Sequence, residues 1–185
     1  MKNYNKFIIT KIEENVDKQT VKNSQIVNIQ RSKTIQESLF YENFIAAFIK
    51  GECVETIEKD SLLWTFNLQG VCFPLLKQIE SAAFYASTAI SFIHLQNVVL
   101  IAESAFSFCS GLKIVVMDEV KEIPAGCFEY CSNLQTIRLD KATYIKNSAF
   151  FGCFMLSHAV MPMLQDCDEG RRENWGKSWL FDYLM

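Results

Sequence analysis

A spacing of 22 residues runs through this chain and constrains its fold more than any other feature. Phenylalanine recurs at that spacing, at Phe84, Phe106, Phe128 and Phe150. Isoleucine does the same, at Ile79, Ile101, Ile123 and Ile145. Repeats of roughly 20 to 30 residues with fixed apolar columns are typical of solenoids, in which each unit buries its apolar face only against its neighbours. The sequence therefore predicts a stack of similar units.

Each unit also contains the alternation of a β-strand. In the clearest unit Leu134, Ile137 and Leu139 are apolar, and the step of two from Ile137 to Leu139 is the period of a half-buried strand. The same offsets recur in three further units, at Ile90, Ile93 and Leu95, at Leu112, Val115 and Met117, and at Leu156, Ala159 and Met161. We therefore expect one strand in each repeat, with the strands of successive repeats side by side.

A helical alternative has to be weighed, because 22 is twice eleven and eleven-residue repeats can build long amphipathic helices. The segments Ile-Val-Val-Met at 114–117 and Thr-Ile-Arg-Leu at 136–139 favour strands instead. Ser-Gly at 110–111 and Ser-Asn at 132–133 recur at a fixed place where they would break a helix. The strand interpretation is the better one.

The repeat pattern divides the chain into three parts. Units of 22 residues cover 35–165, with poorer copies at the beginning. Residues 1–34 are predicted to form an N-terminal cap and a first irregular repeat, and residues 166–185 a C-terminal cap. The terminal repeats of a solenoid must cover the open end of its core, so we expect the aromatic side chains of the last part to do this, namely Trp175, Trp179 and Phe181.

The composition is that of a folded protein, since half of the residues are hydrophobic and 21% are charged. No apolar run approaches the roughly 20 residues of a membrane-spanning helix. The apolar stretch Phe7-Ile8-Ile9 is too short for the core of a secretory signal. We therefore expect a cytoplasmic protein without a transmembrane segment.

Charge is unevenly distributed along the chain. Residues 1–34 contain seven Lys and Arg against three Asp and Glu, whereas the remainder contains eleven against eighteen. A basic end can contact nucleic acid, but no aromatic residues are interleaved with these charges in the way that nucleic-acid binding favours. The interpretation is a solvated end segment, and no nucleic-acid partner is predicted.

The residues that usually carry catalysis are sparse. No Gly-rich phosphate loop, H-E-x-x-H or G-x-S-x-G motif is present. Cys109, Cys131 and Cys153 belong to an inward column and are predicted to be buried, reduced thiols rather than metal ligands. Cys153 and His158 have the residue types of a nucleophile and its base, but the register turns the thiol inward and His158 outward. We expect no enzyme activity, cofactor or metal.

The outward positions of the strands are the candidate binding residues, since alternate residues of a strand point to opposite faces. One outward column contains Phe48, Phe92, Ile114, Thr136 and His158. The adjacent column contains Lys50, His94, Val116, Arg138 and Val160. Apolar side chains among a few charges suit a recognition surface. The alternative is that a flanking segment or a second copy of the chain covers part of this face.

These repeats resemble leucine-rich repeats of the BspA-like class, with the pattern Cys-x-x-Leu-x-x-Ile-x-Ile-Pro. The resemblance is carried by Cys109-Ser-Gly-Leu112, Cys131-Ser-Asn-Leu134 and Cys153-Phe-Met-Leu156. The chain departs from the pattern at Ser87, which stands in the cysteine column, and proline follows the strand only at Pro74 and Pro162.

The resemblance implies a repeat solenoid of the α/β-like class. Its form would be a right-handed horseshoe with a parallel β-sheet on the concave face and short helical or irregular segments on the convex face. It also implies a non-enzymatic scaffold that binds a protein partner through the concave sheet. Two alternatives remain: a cell-surface adhesin for host or matrix proteins, and a structural or degenerate repeat protein without a dedicated ligand.

Overall fold

The computed structural model describes residues 9–12 and 18–168, and short parallel strands form two rows along it. The row of longer strands consists of β1 (Ile9–Ile12), β2 (Ile26–Ile29), β4 (Phe48–Gly51), β6 (Gly70–Cys72), β8 (Phe92–Leu95), β10 (Ile114–Met117), β12 (Thr136–Leu139) and β14 (His158–Val160). The row of two-residue strands consists of β3 (Thr34–Ile35), β5 (Thr56–Ile57), β7 (Gln78–Ile79), β9 (Leu100–Ile101), β11 (Glu122–Ile123), β13 (Tyr144–Ile145) and β15 (Asp166–Cys167).

The described residues contain one short helix, α1 (Lys18–Val21). Turns connect the two rows of strands elsewhere. The part of the predicted C-terminal cap that contains Trp175, Trp179 and Phe181 lies outside the described residues, as do Phe7 and Ile8 at the other end. The three-part division of the chain therefore stays a prediction.

Pairing of the strands reproduces the sequence repeat. Ile114 aligns with Thr136, and Thr136 aligns with His158, each 22 residues further on. All pairings are parallel. The first junction is shorter, since Ile9 in β1 aligns with Ile26 in β2. The predicted parallel solenoid is confirmed.

The phenylalanine column forms a continuous buried stack. Phe84, Phe106, Phe128 and Phe150 are fully buried. Their successive ring centroids are 4.9, 5.5 and 5.5 Å apart, and the neighbouring rings lie within 14° of parallel. Stacked rings of this kind bury large apolar areas and gain further from ring contact. The phenylalanine column of the sequence is therefore a buried stack of rings in the core.

The cysteine column bonds each repeat to the preceding one. The Cys109 thiol donates to the Phe84 carbonyl at 3.0 Å, and Cys131 and Cys153 make the equivalent bonds at 3.1 Å. Burial raises the pKa of Cys109 to about 12 and has the same effect on Cys153, so these thiols are poor nucleophiles. Ser87 fits the same column because its hydroxyl donates to the Leu62 carbonyl at 2.9 Å.

Six successive turns of the solenoid each contain two residues in the left-handed backbone region, with φ between 53° and 77°. They form two columns, Ser38, Asp60, Ala82, Ser104, Gly126 and Ser148, and Glu42, Trp64, Ala86, Phe108, Tyr130 and Gly152. Glycine adopts this region without a steric penalty, whereas other residues lose about 1–2 kcal/mol. The packing of the repeats therefore holds most of these positions in a strained conformation.

Both rows of strands are interrupted once, and at different junctions. The two-residue row separates between β9 and β11. Pro124 explains this separation. At the equivalent positions of the neighbouring repeats, the N–H groups of Ala102 and Lys146 donate to the preceding repeat at 2.9 Å. Proline has no N–H group and cannot make this bond. The longer row separates between β6 and β8. The sequence analysis did not anticipate either interruption.

Replacing Phe128 by alanine should lower the free energy of unfolding by roughly 3–5 kcal/mol, because it removes a fully buried ring with a stacked neighbour on each side. Chemical denaturation measures this change. Phe154→Ala is the matched control, since that ring is 61% exposed and its loss should cost less than about 0.5 kcal/mol. A loss below about 1 kcal/mol for Phe128→Ala would contradict the stack.

Replacing Ala82 by glycine should stabilise the protein by about 0.5–1 kcal/mol, because φ at this position is 53° and glycine relieves the strain. The control is Ala102→Gly, where φ is not left-handed and glycine should destabilise by about 0.5–1 kcal/mol. The midpoint of thermal unfolding gives the sign of each effect. Equal losses in both variants would show that the left-handed conformation at Ala82 is unstrained.

Candidate functional site

Alternating burial along the longer strands turns the predicted site residues outward. In β4, Phe48 and Lys50 are exposed while Ile49 and Gly51 are buried, and β8 repeats the pattern. We call the outward surface of β4 to β14 the long-strand face; its residues are Phe48, Lys50, Gly70, Cys72, Phe92, His94, Ile114, Val116, Thr136, Arg138, His158 and Val160. The pleat of a strand requires this separation of faces.

The register joins eight of the ten predicted site residues in one four-stranded sheet, β8-β10-β12-β14. One column contains Phe92, Ile114, Thr136 and His158, and the other contains His94, Val116, Arg138 and Val160. Phe48 and Lys50 belong to the other sheet, β1-β2-β4-β6. The interruption between β6 and β8 therefore separates these two residues from the rest.

Four large apolar side chains on this face are substantially exposed. Phe48 is 47% exposed, Phe92 54%, Ile114 40% and Val160 49%. The Phe48 ring leans over the glycine of the next strand, since a Cβ atom on Gly70 would lie 3.4 Å from two of its ring carbons. The Phe48 ring therefore covers part of the surface at Gly70.

Three basic side chains of the long-strand face, namely Lys50, His94 and Arg138, each have an acidic neighbour. Lys50 lies 2.7 Å from Glu52, and the Arg138 guanidinium donates two hydrogen bonds to Asp140 at 2.6 and 2.7 Å. His94 Nε2 lies 3.4 Å from Asp118.

Lys50 and Arg138 change the pKa of the carboxyl groups beside them. Hydrogen bonds from Lys50 and Arg138 lower the pKa of the Glu52 and Asp140 carboxyls, respectively. Exposed pairs of this kind add little to stability, so their effect is to hold the cationic side chains in place. The sequence analysis missed these acids, although an acid two residues after a strand cation, as in Lys50 with Glu52, was a usable signal.

A cleft of about 230 Å³ opens at the interruption between β6 and β8. Its walls come from both sides of the junction: Val71, Phe73 and Leu76 from one repeat, and Leu95 and Val98 from the next. Cys72 and His94 lie at its polar rim. The repeat pattern carried no sign of this cleft.

The structure does not bring Cys153 and His158 together as a nucleophile and its base. Cys153 is buried and donates to the Phe128 carbonyl, whereas His158 is exposed and lies 3.1 Å from the Ser157 hydroxyl. They occupy the opposite faces that the register predicted. Over residues 9–12 and 18–168, no three His, Cys, Asp or Glu side chains are grouped to hold a metal ion. Within the same ranges, no helix has the length and apolar character needed to cross a membrane.

Solved structures with a similar fold come from several bacteria. A leucine-rich repeat protein of T. pallidum has a TM-score of 0.71 and 19% identity, with 86% of this chain and 76% of that one covered. One from Bacteroides ovatus has a TM-score of 0.67 and 21% identity, with 76% and 38% covered. A leucine-rich cell surface protein from Faecalibacterium prausnitzii has a TM-score of 0.67 and 22% identity, with 74% and 47% covered.

This chain thus spans less than half of the second and third of these proteins. No curated protein matches its sequence. The family described as the BspA type leucine-rich repeat region matches it in six copies, over residues 2–110 and 55–167. With those matches across nearly its whole length, and with a parallel solenoid of 22-residue units, the chain belongs to the BspA-type leucine-rich repeat family.

Proposed function

We propose that this chain is a non-enzymatic interaction module that binds a protein partner through the long-strand face. The observation that carries the proposal is the exposure of Phe48, Phe92, Ile114 and Val160 on one face, among held cations. Interfaces combine apolar and aromatic side chains with a polar rim in this way. Exposed apolar side chains in a row do not stabilise a surface that contacts only solvent.

The centre of the proposed interface lies on β8, β10 and β12. Phe92, His94, Ile114, Val116 and Arg138 are neighbours there through the strand register. Aromatic residues and arginine dominate the binding energy of many interfaces. Arg138 is already held by its two bonds to Asp140, so less side-chain freedom is lost when a partner contacts it. Thr136, His158 and Val160 would flank this centre.

The size of the surface argues that a partner extends beyond one sheet. Three strands of four residues and one of three, spaced about 4.8 Å apart with about 3.3 Å per residue, cover roughly 240 Å². A stable interface usually buries about 800 Å² on each side. A partner at the long-strand face would therefore reach the turns that contain Asp118 and Asp140, or cross the interruption to Phe48 and Lys50.

The double variant Phe92→Ala, Arg138→Ala tests the proposal. Both side chains are exposed, so the midpoint of thermal unfolding should change by less than about 2 °C. Capture of cross-linked partners from the source cells should fall at least about tenfold, since loss of two central contacts typically costs more than about 1.4 kcal/mol. Quantitative mass spectrometry of the captured proteins measures the loss.

The matched control removes one exposed aromatic ring and one exposed cation away from this face, as Phe154→Ala with Lys121→Ala. It should retain every partner that the parent captures. If the control loses the partner and the double variant keeps it, binding occurs elsewhere on the solenoid. If the double variant unfolds, the residues belong to the core and the site assignment is wrong.

A second candidate is an adhesin exposed on the cell surface. One observation favours it, namely that the similar protein from Faecalibacterium prausnitzii is described as a leucine-rich cell surface protein. The two candidates differ in location, so an epitope-tagged chain in intact cells would decide between them. Removal of the tag by added protease, with a cytoplasmic marker left intact, supports the adhesin; protection of both supports an intracellular interaction module.

A further inference from the structure

One junction in the row of longer strands, between β6 and β8, lacks backbone bonds that the other junctions of that row have. At five junctions the carbonyl before a longer strand accepts two N–H groups from the next repeat, at 2.8–3.3 Å; these carbonyls belong to Gln25, Ala47, Ser91, Lys113 and Gln135. At the junction between β6 and β8, the Gln69 carbonyl receives neither the Ser91 nor the Phe92 N–H group. The strands β6 and β8 therefore present edges to each other without pairing.

The space between these edges is wider than that between paired strands. Most Cα pairs between β6 and β8 lie more than 8 Å apart, whereas paired strands are separated by about 4.8 Å. One additional strand between them would need about twice that spacing, or roughly 9.6 Å. The opening is thus wider than a paired junction.

The opening is closed at the back and at one end, and it is open on the long-strand face. Behind it β7 pairs with β9, with Ile79 aligned to Ile101. At the carboxyl end of the strands, the Asn97 side chain donates to the Pro74 carbonyl at 2.8 Å. These contacts hold the two repeats together, so the solenoid is continuous behind the opening. We call the opening between β6 and β8 the wedge.

The cleft within the wedge has room for a side chain. Its volume is about 230 Å³, and its lining is mixed: Val71, Leu76, Leu95 and Val98 are apolar, whereas His94, Gln96 and Asn97 are polar. An apolar cavity of about 150 Å³ is enough to hold benzene. One aliphatic or aromatic side chain therefore fits, while unpaired backbone groups remain available alongside.

We propose that the wedge between β6 and β8 binds an extended peptide segment of the protein partner, which adds as a strand and places one apolar side chain in the cleft. Unpaired strand edges bind peptides in this way, with backbone hydrogen bonds for affinity and a pocket for selectivity. The inserted segment joins the two four-stranded sheets across the interruption. This inference rests on the proposed function, because the segment belongs to the partner at the long-strand face.

The test uses a random library of nine-residue peptides displayed on phage and selected against the whole chain. Selected peptides should share one large apolar residue flanked by residues that favour strands. Ser91→Pro removes an N–H group that has no partner at the wedge, and it should weaken binding of the synthesised peptides by roughly tenfold, the upper range for one hydrogen bond. Ser91→Ala keeps the N–H group and should bind with less than about twofold change.

Amide hydrogen exchange on the unmodified chain makes the test independent of whether Ser91→Pro folds. A bound peptide should slow exchange at Ser91 at least about tenfold and leave Lys113 unchanged, since the Lys113 N–H already bonds to the Ser91 carbonyl. Failure to select any peptide, or binding that leaves Ser91 exchange unchanged, overturns the proposal. Concentration-dependent protection of Ser91 in the chain alone would assign the wedge to a second copy and also overturn it.

Failure of this inference is distinguishable from failure of the proposed function. If no peptide binds the wedge but the Phe92→Ala, Arg138→Ala variant still loses its protein partner, strand insertion is wrong and the interaction face stands. If peptides bind the wedge while that variant keeps every partner, the wedge is a peptide site and the centre assigned to the long-strand face is wrong.

Discussion

Hydrogen bonds between residues about one repeat apart are the interaction on which the rest of this structure depends. The Lys113 N–H bonds to Ser91 and the Gln135 N–H bonds to Lys113, and the same connection recurs along most of the described chain. This backbone register places each side chain on top of its equivalent in the next repeat. Residues 22 positions apart in the sequence therefore stack on each other. Inward residues form stacks in the core, as Phe84 and Phe106 do, and outward residues form rows on the surface.

The two interruptions show how the solenoid tolerates a missing bond. The junction between β6 and β8 is bridged by β7 with β9, and the junction between β9 and β11 is bridged by β8 with β10. Because the interruptions fall at successive junctions and in different rows, no junction loses both rows of backbone bonds. The repeat that contains Phe92 and His94 pairs through its short strand on one side and through its long strand on the other. Backbone bonds between turns, such as the Leu62 N–H to the Ala83 carbonyl at 2.8 Å and the Phe84 N–H to the Ala105 carbonyl at 2.8 Å, also hold it on both sides. Stability in such a stack is a sum over neighbouring repeats, so local bonds can be lost without loss of the fold.

Much of the fold was predictable from the sequence, and particular residues show why the rest was not. The phenylalanine stack and the outward position of Phe92 and Arg138 follow directly from spacing, because a strict repeat fixes which residues meet. Pro124 carried a readable signal for an interrupted row, since proline cannot donate to a ladder. The wedge at Gln69 had no such signal in the sequence. It arises because the Gln69 carbonyl lacks two backbone hydrogen bonds, and no residue there has a side chain that forbids them. The position of the acids that hold Lys50 and Arg138 depends on side-chain geometry, which periodicity does not describe.

Residue-resolved amide hydrogen exchange of the chain alone tests the backbone register most directly. The account predicts that Gln69, Lys113, Gln135 and Ser157, which occupy equivalent positions and donate to the preceding repeat at 2.8–2.9 Å, exchange slowly. It predicts that Ser91, at the same position in its own repeat, exchanges at least about tenfold faster, because the Gln69 carbonyl does not receive its N–H group. Fast exchange at all five positions would contradict a solenoid joined at 22-residue intervals. Equal protection of Ser91 would contradict the interruption.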